Sequence, residues 1–220
     1  MDSRFRGNDR DGFVTQVTSR KILMADKQPH IVGILLAAGA GSRFGGGKLL
    51  HPLNGVAIGV RSARNMLTAG LQVTAVVRPG SDELTRLLQA EGVTVTVCNN
   101  AADGMGVSLA HVIGQSLLHA TAAVGWVVAL ADMPRIRPET IAQVADAVRA
   151  GASIAAPAYQ GERGHPVGFS AALRDELLAC GGDEGARTVI KRHHAEIQLL
   201  ASDDPGVIFD IDRREDVPPV

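Results

Sequence analysis

The chain of 220 residues has only two cysteines, Cys98 and Cys180. They form no CxxC pair and have no histidine at ligand spacing, which argues against a disulfide framework or a zinc site and predicts buried free thiols. An excess of either charge is also missing. With 22 basic against 23 acidic residues the formal net charge is -1, so the basic footprint of a dedicated nucleic-acid binder is lacking and no nucleic-acid partner is expected. Any phosphate ligand must be held locally. Long apolar runs are absent too: Ile31 to Ala40 is too short for a membrane span of about 20 residues, and no apolar signal core precedes a cleavage site. These absences predict a cytoplasmic protein without a membrane partner. The chain is nevertheless 45% hydrophobic and 20% charged, enough to bury a core as one globular domain or at most two small ones.

Residues 1–29 differ from the rest. Arg4, Arg6 and Arg10 alternate with Asp2, Asp9 and Asp11 among glycines, with little apolar periodicity, so this segment is expected to be a disordered extension. Met24 stands just ahead of the first strand signal and is the expected start of translation. Residues 30–220 form the expected domain. Short branched apolar runs there alternate with segments of helical period, the pattern of a mainly parallel sheet covered by helices in an α/β fold. Strands are predicted at Ile31–Leu36, Val73–Val77, Val93–Val97 and Trp126–Ala131, with helices near Gly55–Ala69, after a Ser81 cap, near Val107–Ala120 and from Pro138 to Ala150. After Gly151 the rhythm changes. Strands at Ser153–Ala158 and Val167–Ser170 have no helix between them, so part of the sheet should be antiparallel. Helices near Ala171–Ala179 and Ala186–His194, and strands at Ile197–Leu200 and Val207–Phe209, complete the expectation.

The most informative segment is LAAGAGSRFGGGK, Leu36 to Lys48, directly after the first strand. Ligands of open α/β sheets bind beyond the carboxyl ends of strands. Glycines at 39, 41 and 45 let backbone N–H groups wrap an anion, and Arg43 and Lys48 add full positive charge. A nucleoside triphosphate fits this chemistry; a glycine-rich turn with two solvated cations is the plainer reading. A Walker loop fails twice, because Ser42 stands at its first glycine and Leu49 follows Lys48. A dinucleotide site lacks the acidic residue expected after the second strand, which ends at Val77-Arg78. Arg78 would suit an NADP phosphate, but the only tyrosine, Tyr159, is followed four places on by Arg163 rather than by the lysine of a Tyr-xxx-Lys pair. The HRD and DFG partners of a protein-kinase loop do not occur.

LAAGAGSRFGGGK resembles the signature loop of nucleotidyltransferases, in particular the MobA/MocA-like family. Four further segments resemble that family in the same order: NNAADGMGVSL (99–109), LADMP (130–134), GERGHPVGF (161–169) and GGDEGAR (181–187). FDIDRREDV (209–217) is similar to the family's terminal DIDTPEDL, with Arg213 and Arg214 in place of Thr and Pro. The resemblance implies a Rossmann-like three-layer nucleotidyltransferase fold. Ala38 in LAAG is similar to the cytidylyl-transferring MocA members, whereas the guanylyl-transferring members usually have glycine, which favours CTP over GTP. The implied reaction joins CMP from CTP to a molybdenum-bound molybdopterin and releases pyrophosphate, and a molybdenum hydroxylase or its chaperone is the implied partner.

In-line transfer builds charge on the departing pyrophosphate, so cation clamps should supply much of the acceleration. The implied nucleotide-binding residues are Leu36, Ala37, Ala38, Gly39, Gly41, Ser42, Arg43, Lys48, Arg78 and Ser108. Arg43, Lys48 and Asp132 are the implied catalytic set. An acceptor phosphate monoester with a second pKa of about 6 is already ionised at neutral pH and needs no general base. Asp132 follows a buried strand and is the first candidate ligand of Mg²⁺, which takes one or two carboxylates plus phosphates; an ordinary helix-capping aspartate is its alternative. By family position Asp212 is the second ligand, with Asp210 on the opposite side of an extended segment. Both would otherwise be surface turn charges. His165, Asp183 and Arg187 are implied acceptor-binding residues. Their alternatives are a turn histidine bonded to backbone and a structural Asp183–Arg187 salt bridge, and a helix cap is the alternative for Ser108. His193 and His194 read as surface residues. Competing functions are a guanylyltransferase, a sugar-phosphate nucleotidyltransferase, and a non-catalytic nucleotide-binding cofactor chaperone.

Overall fold

A computed structural model describes residues 30–217 apart from residue 121. The disorder expected over residues 1–29 and the start expected at Met24 lie outside the described residues. Strand β1 (His30–Ala37) leads through two 3-10 turns to a hairpin, β2 (Pro52–Leu53) and β3 (Val56–Ala57), and then to helix α1 (Ile58–Thr68). Next come β4 (Gln72–Val77), α2 (Asp82–Ala90), β5 (Thr94–Val97), α3 (Met105–His119), β6 (Ala123–Leu130) and α4 (Pro138–Arg149). The remainder holds β7 (Ile154–Tyr159), β8 (Glu162–Arg163), β9 (Val167–Ser170), α5 (Arg174–Leu178), α6 (Arg187–Arg192) and β10 (Ile197–Ala201).

The main sheet has the order β10-β7-β9-β6-β1-β4-β5, with β8 paired to β7. Strand β1 lies between β4 and β6 and is parallel to both. Strand β9 is antiparallel to both β6 and β7, which gives the mixed character anticipated after Gly151. Alternation along β1 sends Ile31 and Leu35 into one core, with α1, α2 and α4, and Val32 and Ile34 into the other, with α3, α5 and α6. Two buried helical layers therefore sandwich the sheet, as the period of two requires. Register aligns Leu36 with Leu130 and Ala37 with Val77. The carboxyl ends of the three central strands thus open side by side, where Lys48, Arg78 and Asp132 follow.

Several local expectations need correction. The strand predicted at Val207–Phe209 is a 3-10 turn over Pro205–Ile208. Asp204 caps it by accepting from the Gly206 N–H at 2.9 Å, and Pro205 has no N–H to give a ladder. Ser81 precedes α2 without a side-chain cap. The helix predicted near Ala171–Ala179 divides into a 3-10 turn at Ala171–Leu173 and the short α5, because the Ser170 hydroxyl accepts from the Ala172 N–H. Similarly, α6 ends at Arg192 and a 3-10 turn follows at His194–Glu196. The β2–β3 hairpin takes the stretch where a helix near Gly55 was expected. Its Asn54-Gly55 turn has both residues at positive φ (50° and 77°), the pairing that two-residue hairpin turns favour.

Candidate functional site

The glycine loop is nailed down from beneath. Phe44 is buried against Leu53, Ile58 and Ile211, so the loop and the segment carrying Asp212 share one small core. Gly41 sits in the left-handed region at φ 59°, and a Cβ there would come 3.2 Å from the Lys48 Cβ. The turn that aims Lys48 inward therefore depends on a missing side chain. On the other side, the Ile211 N–H donates to the Asp132 carbonyl at 2.9 Å, which locks the neighbour of Asp212 to Asp132 itself. The expectation that Asp210 lies opposite Asp212 needs correction: Ile211 between them is buried, and the charge of Asp210 reaches Arg43 as that of Asp212 does, because residues two apart in an extended segment share a face.

The result is a linear cluster of alternating charge. The Lys48 Nζ donates to Asp132 Oδ2 at 2.7 Å and lies 3.6 Å from Asp212 Oδ1. Arg43 Nη1 donates to Asp212 Oδ2, also at 2.7 Å. The Lys48 side chain is only 10% exposed and that of Arg43 is 74% exposed, so the cluster runs from the interior to the rim. The Arg43 hydrogen bond, aided by the Lys48 charge, holds the Asp212 carboxyl below the usual carboxylate range against the opposing cost of burial. In return, the hydrogen bond and charge of Asp212 raise the Arg43 guanidinium further above its ordinary value.

Beside this cluster lies a cavity of about 460 Å³. Of the residues singled out in the sequence, Leu36, Ala38, Gly39, Gly41, Lys48, Arg78, Ser108, Asp132 and Asp183 line it. Ala37 is buried in the core, while Ser42 and Arg43 line a second groove outside the loop. Ser108 is four residues into α3, whose cap position is Gly104, so the capping alternative does not apply. Asp183 arrives by a close approach. The Gly106 N–H donates to the Gly182 carbonyl at 2.8 Å, and a Cβ on Gly104 would fall 2.2 Å from Gly182 backbone. Asp183 and Arg187 form no ion pair, and Arg187 is exposed outside the cavity.

His165 is half-buried, follows the close contact of Gly164 with Val207, and its side chain makes no bond to backbone among the described residues. Its Nδ1 is buried without a hydrogen-bond partner among the described residues. Burial first, then the charge of Arg163 and more weakly Arg187, push its pKa down to about 4 against the opposing pull of Asp132, so it is neutral at neutral pH. His193 is not a free surface group. It lies between Glu176 (2.8 Å to Nε2) and Glu196 (2.9 Å to Nδ1) and ties α5 to the segment after α6, while His194 is exposed. Among the described residues, no three or more His, Cys, Asp or Glu side chains gather as a metal site, and no helix is long and apolar enough to cross a membrane. Cys98 is buried and Cys180 half-buried, both free.

Sequence reasoning missed Asp204. Its buried carboxylate accepts from the Arg137 and Gly206 N–H groups and the Thr140 hydroxyl, fixing the start of α4 and the turn that leads to Asp212. The Asp-Pro-Gly turn signature was its only signal. Phe44 and Asp216 were also missed. The latter's carboxylate accepts from the Asp212 and Arg213 N–H groups.

The model of the MobA-like NTP transferase domain matches residues 33–197. The chain belongs to that family. Among its curated relatives, the nicotine blue oxidoreductase of Paenarthrobacter nicotinovorans is 29% identical over 197 residues, covering 85% of this chain and 94% of the relative. The purine catabolism protein PucB of Bacillus subtilis is 28% identical over 199 residues, covering 86% and 95%. The crystal structure of Rv0371c from Mycobacterium tuberculosis superposes with a TM-score of 0.75 at 28% identity, covering 85% of this chain and 94% of that one. Its manganese complex gives a TM-score of 0.69 at 26% identity, with 85% and 95% covered. Family and fold thus make the chain a MobA-like nucleotidyltransferase, as the ordered motifs implied.

Proposed function

We propose that the chain transfers a cytidylyl group from CTP to the phosphate of a molybdopterin-type acceptor, releasing pyrophosphate. The observation that carries this reading is the Arg43–Asp212–Lys48–Asp132 cluster at the mouth of a nucleotide-sized cavity. Lys48 and Arg43 would hold the triphosphate, while Gly39 and Gly41 offer backbone N–H groups to it. Ala38, Arg78 and Ser108 line the same cavity and are the residues proposed to meet base and sugar. The methyl of Ala38, rather than a bare glycine, is the basis for preferring CTP to GTP. Asp183, brought onto the first turn of α3, is proposed to face the acceptor, with Arg187 and His165, which are outside the cavity lining, supporting it. A neutral His165 suits packing beside the acceptor better than clamping a phosphate.

The carboxylates fit a divalent cation. Asp132 and Asp212 already converge on a single cation, the Lys48 ammonium, and two carboxylates completed by phosphate oxygens are a donor set that Mg²⁺ accepts. Such an ion would neutralise charge on the phosphates during transfer. Manganese in the Rv0371c complex supports a divalent cation in this fold. Lys48 would then exchange its carboxylate partners for phosphate oxygens. The acceptor phosphate is ionised at neutral pH, so no side chain need remove a proton.

The name of one relative, an oxidoreductase, gives an alternative for that relative. Here the strand that ends at Val77 is followed by Arg78 rather than by the acid that would bind a ribose, which speaks against a dinucleotide. The deciding experiment incubates the protein and Mg²⁺ with CTP, GTP or ATP plus molybdenum-bound molybdopterin, and follows pyrophosphate release and product mass. Release with CTP and a cytosine dinucleotide product support the proposal. Equal turnover of GTP would move the assignment to guanylyl transfer, and no release with any nucleotide would reject catalysis in favour of a binding role.

A further inference from the structure

The outer face of the glycine loop carries a second groove, of about 550 Å³, whose charged lining is Arg43, Arg213, Arg214 and Glu215. Three guanidiniums there face one carboxylate. The groove is joined to the candidate site through Asp212, which Arg43 contacts from the groove side and Lys48 from the cavity side. Arg213 and Arg214 stand where the resembling family's terminal motif has Thr and Pro, so this charge is a property of this chain rather than of the shared fold.

The two arginines are set up by local structure. Asp216 accepts from the Asp212 N–H at 2.9 Å and the Arg213 N–H at 2.6 Å, forming a turn that sends Asp212 toward the cavity and its neighbours toward the groove. Arg214 Nε donates to the Phe44 carbonyl at 3.3 Å, and its guanidinium lies 5.5 Å from the centre of the Phe44 ring. Phe44 is itself buried, so Arg214 is tethered to the loop through Nε while its Nη groups make no hydrogen bond to the described residues. Arg213 reaches Glu215 only at 3.5 Å, both side chains being well exposed, a contact an incoming anion displaces cheaply. Planar guanidiniums with free Nη groups match phosphate oxygens in pairs.

We propose that this groove is a subsite for the leaving pyrophosphate, which passes from Lys48 across Arg43 to Arg213 and Arg214 once the α-phosphate has been transferred. The inference rests on the nucleotidyl-transfer reading. No bond is made or broken in the groove. It receives an anion produced by cleavage of the bond between the α-phosphorus and the bridging oxygen, whose electrons leave with the pyrophosphate.

The test is calorimetric titration of the full chain with pyrophosphate and, separately, with CTP and with inorganic phosphate. No acceptor is present, so no turnover is needed. Each of Arg213→Ala and Arg214→Ala should weaken pyrophosphate about tenfold, the size of one charge-assisted hydrogen bond, with CTP affinity changed less than about threefold. Arg214→Lys, which keeps the charge but loses the planar fork, should fall between. Thermal melts confirm folding. Pyrophosphate binding indifferent to both arginines overturns the proposal. So does an equal loss for CTP, which would place the substrate's own tail in the groove, and so does inorganic phosphate binding as tightly as pyrophosphate. The outcomes separate the two readings: turnover of CTP with arginine-independent pyrophosphate binding rejects the subsite alone. Arginine-dependent pyrophosphate binding in a chain that never turns over a nucleotide keeps the anion site and rejects its origin in transfer.

Discussion

Replacing Asp204 by alanine should be among the most damaging single changes available outside the site itself. Its carboxylate is 1% exposed. Oδ2 accepts from the Arg137 N–H at 2.8 Å and the Thr140 hydroxyl at 2.9 Å, while Oδ1 accepts from the Gly206 N–H at 2.9 Å. Alanine leaves three donors without their acceptor, of which Thr140 and Gly206 are buried. A buried group left unsatisfied costs about 1–3 kcal/mol, and water entering the vacated space recovers part of that, so a net loss of about 3–5 kcal/mol follows. For a domain of this size that is a fall in Tm of roughly 10 °C. Circular-dichroism melts and urea titrations of wild type, Asp204→Ala and Asp204→Asn measure it directly. The asparagine variant keeps one acceptor oxygen and should lie between the other two. The effect should reach the site as well, since the Pro205–Ile208 turn leads into Ile211, whose N–H is bonded to Asp132. An Asp204→Ala melt within about 2 °C of wild type would refute the argument that this carboxylate holds α4 and the C-terminal segment together.

Lys48→Ala should cut nucleotide turnover at least about 100-fold, the scale of losing a preorganised charge. Its Tm should shift by no more than a few degrees, because the Asp132 and Asp212 carboxylates it abandons are partly solvated; a collapsed melt would make Lys48 structural. Gly104→Ala should destabilise the fold, since its Cβ would meet Gly182 backbone at 2.2 Å and φ is 124°. Hydrogen exchange should show the loss first in residues 179–186, and unchanged protection there would contradict the close packing. The His193 clamp carries a pH dependence of known sign. Its hydrogen bonds to Glu196 and Glu176 raise the imidazole above its ordinary 6.5, so that contribution is complete below about pH 6.5 and fades as pH rises through the raised value. The His193 hydrogen bond likewise lowers Glu176 and Glu196 below 4.5, so theirs is complete above about pH 4.5 and fades as pH falls through the lowered values. The clamp should be strongest between these limits. NMR titration of the His193 ring protons would show it, and a midpoint at or below 6.5 would remove the clamp.

Much of this was legible in the sequence for physical reasons. Buried parallel strands such as Ile31–Leu36 and Trp126–Ala131 announce themselves as unbroken apolar runs, and a glycine-rich loop after the first strand has few other uses than close backbone approach. The convergence of Lys48, Asp132 and Asp212 was readable only in part. Strand order brings the first two together, whereas Asp212 depends on a backbone bond from Ile211 that no local pattern encodes. The prediction failed where side chains outbid periodicity. Val207–Phe209 has the composition of a strand, but Asp204 and Pro205 turn it into a 3-10 segment. His193 looked like a solvated histidine because its two carboxylate partners come from packing rather than from helical spacing alone.

The central claim is that the loop from Leu36 to Lys48 grips a triphosphate opposite a divalent cation held by Asp132. It is tested most directly by CTP affinity with and without Mg²⁺, measured by calorimetry for wild type and Asp132→Ala. The account predicts that Mg²⁺ tightens CTP by at least about tenfold in the wild type, a single well-placed charge contact, and has little effect in the variant. An equal response to Mg²⁺ in both proteins would contradict it.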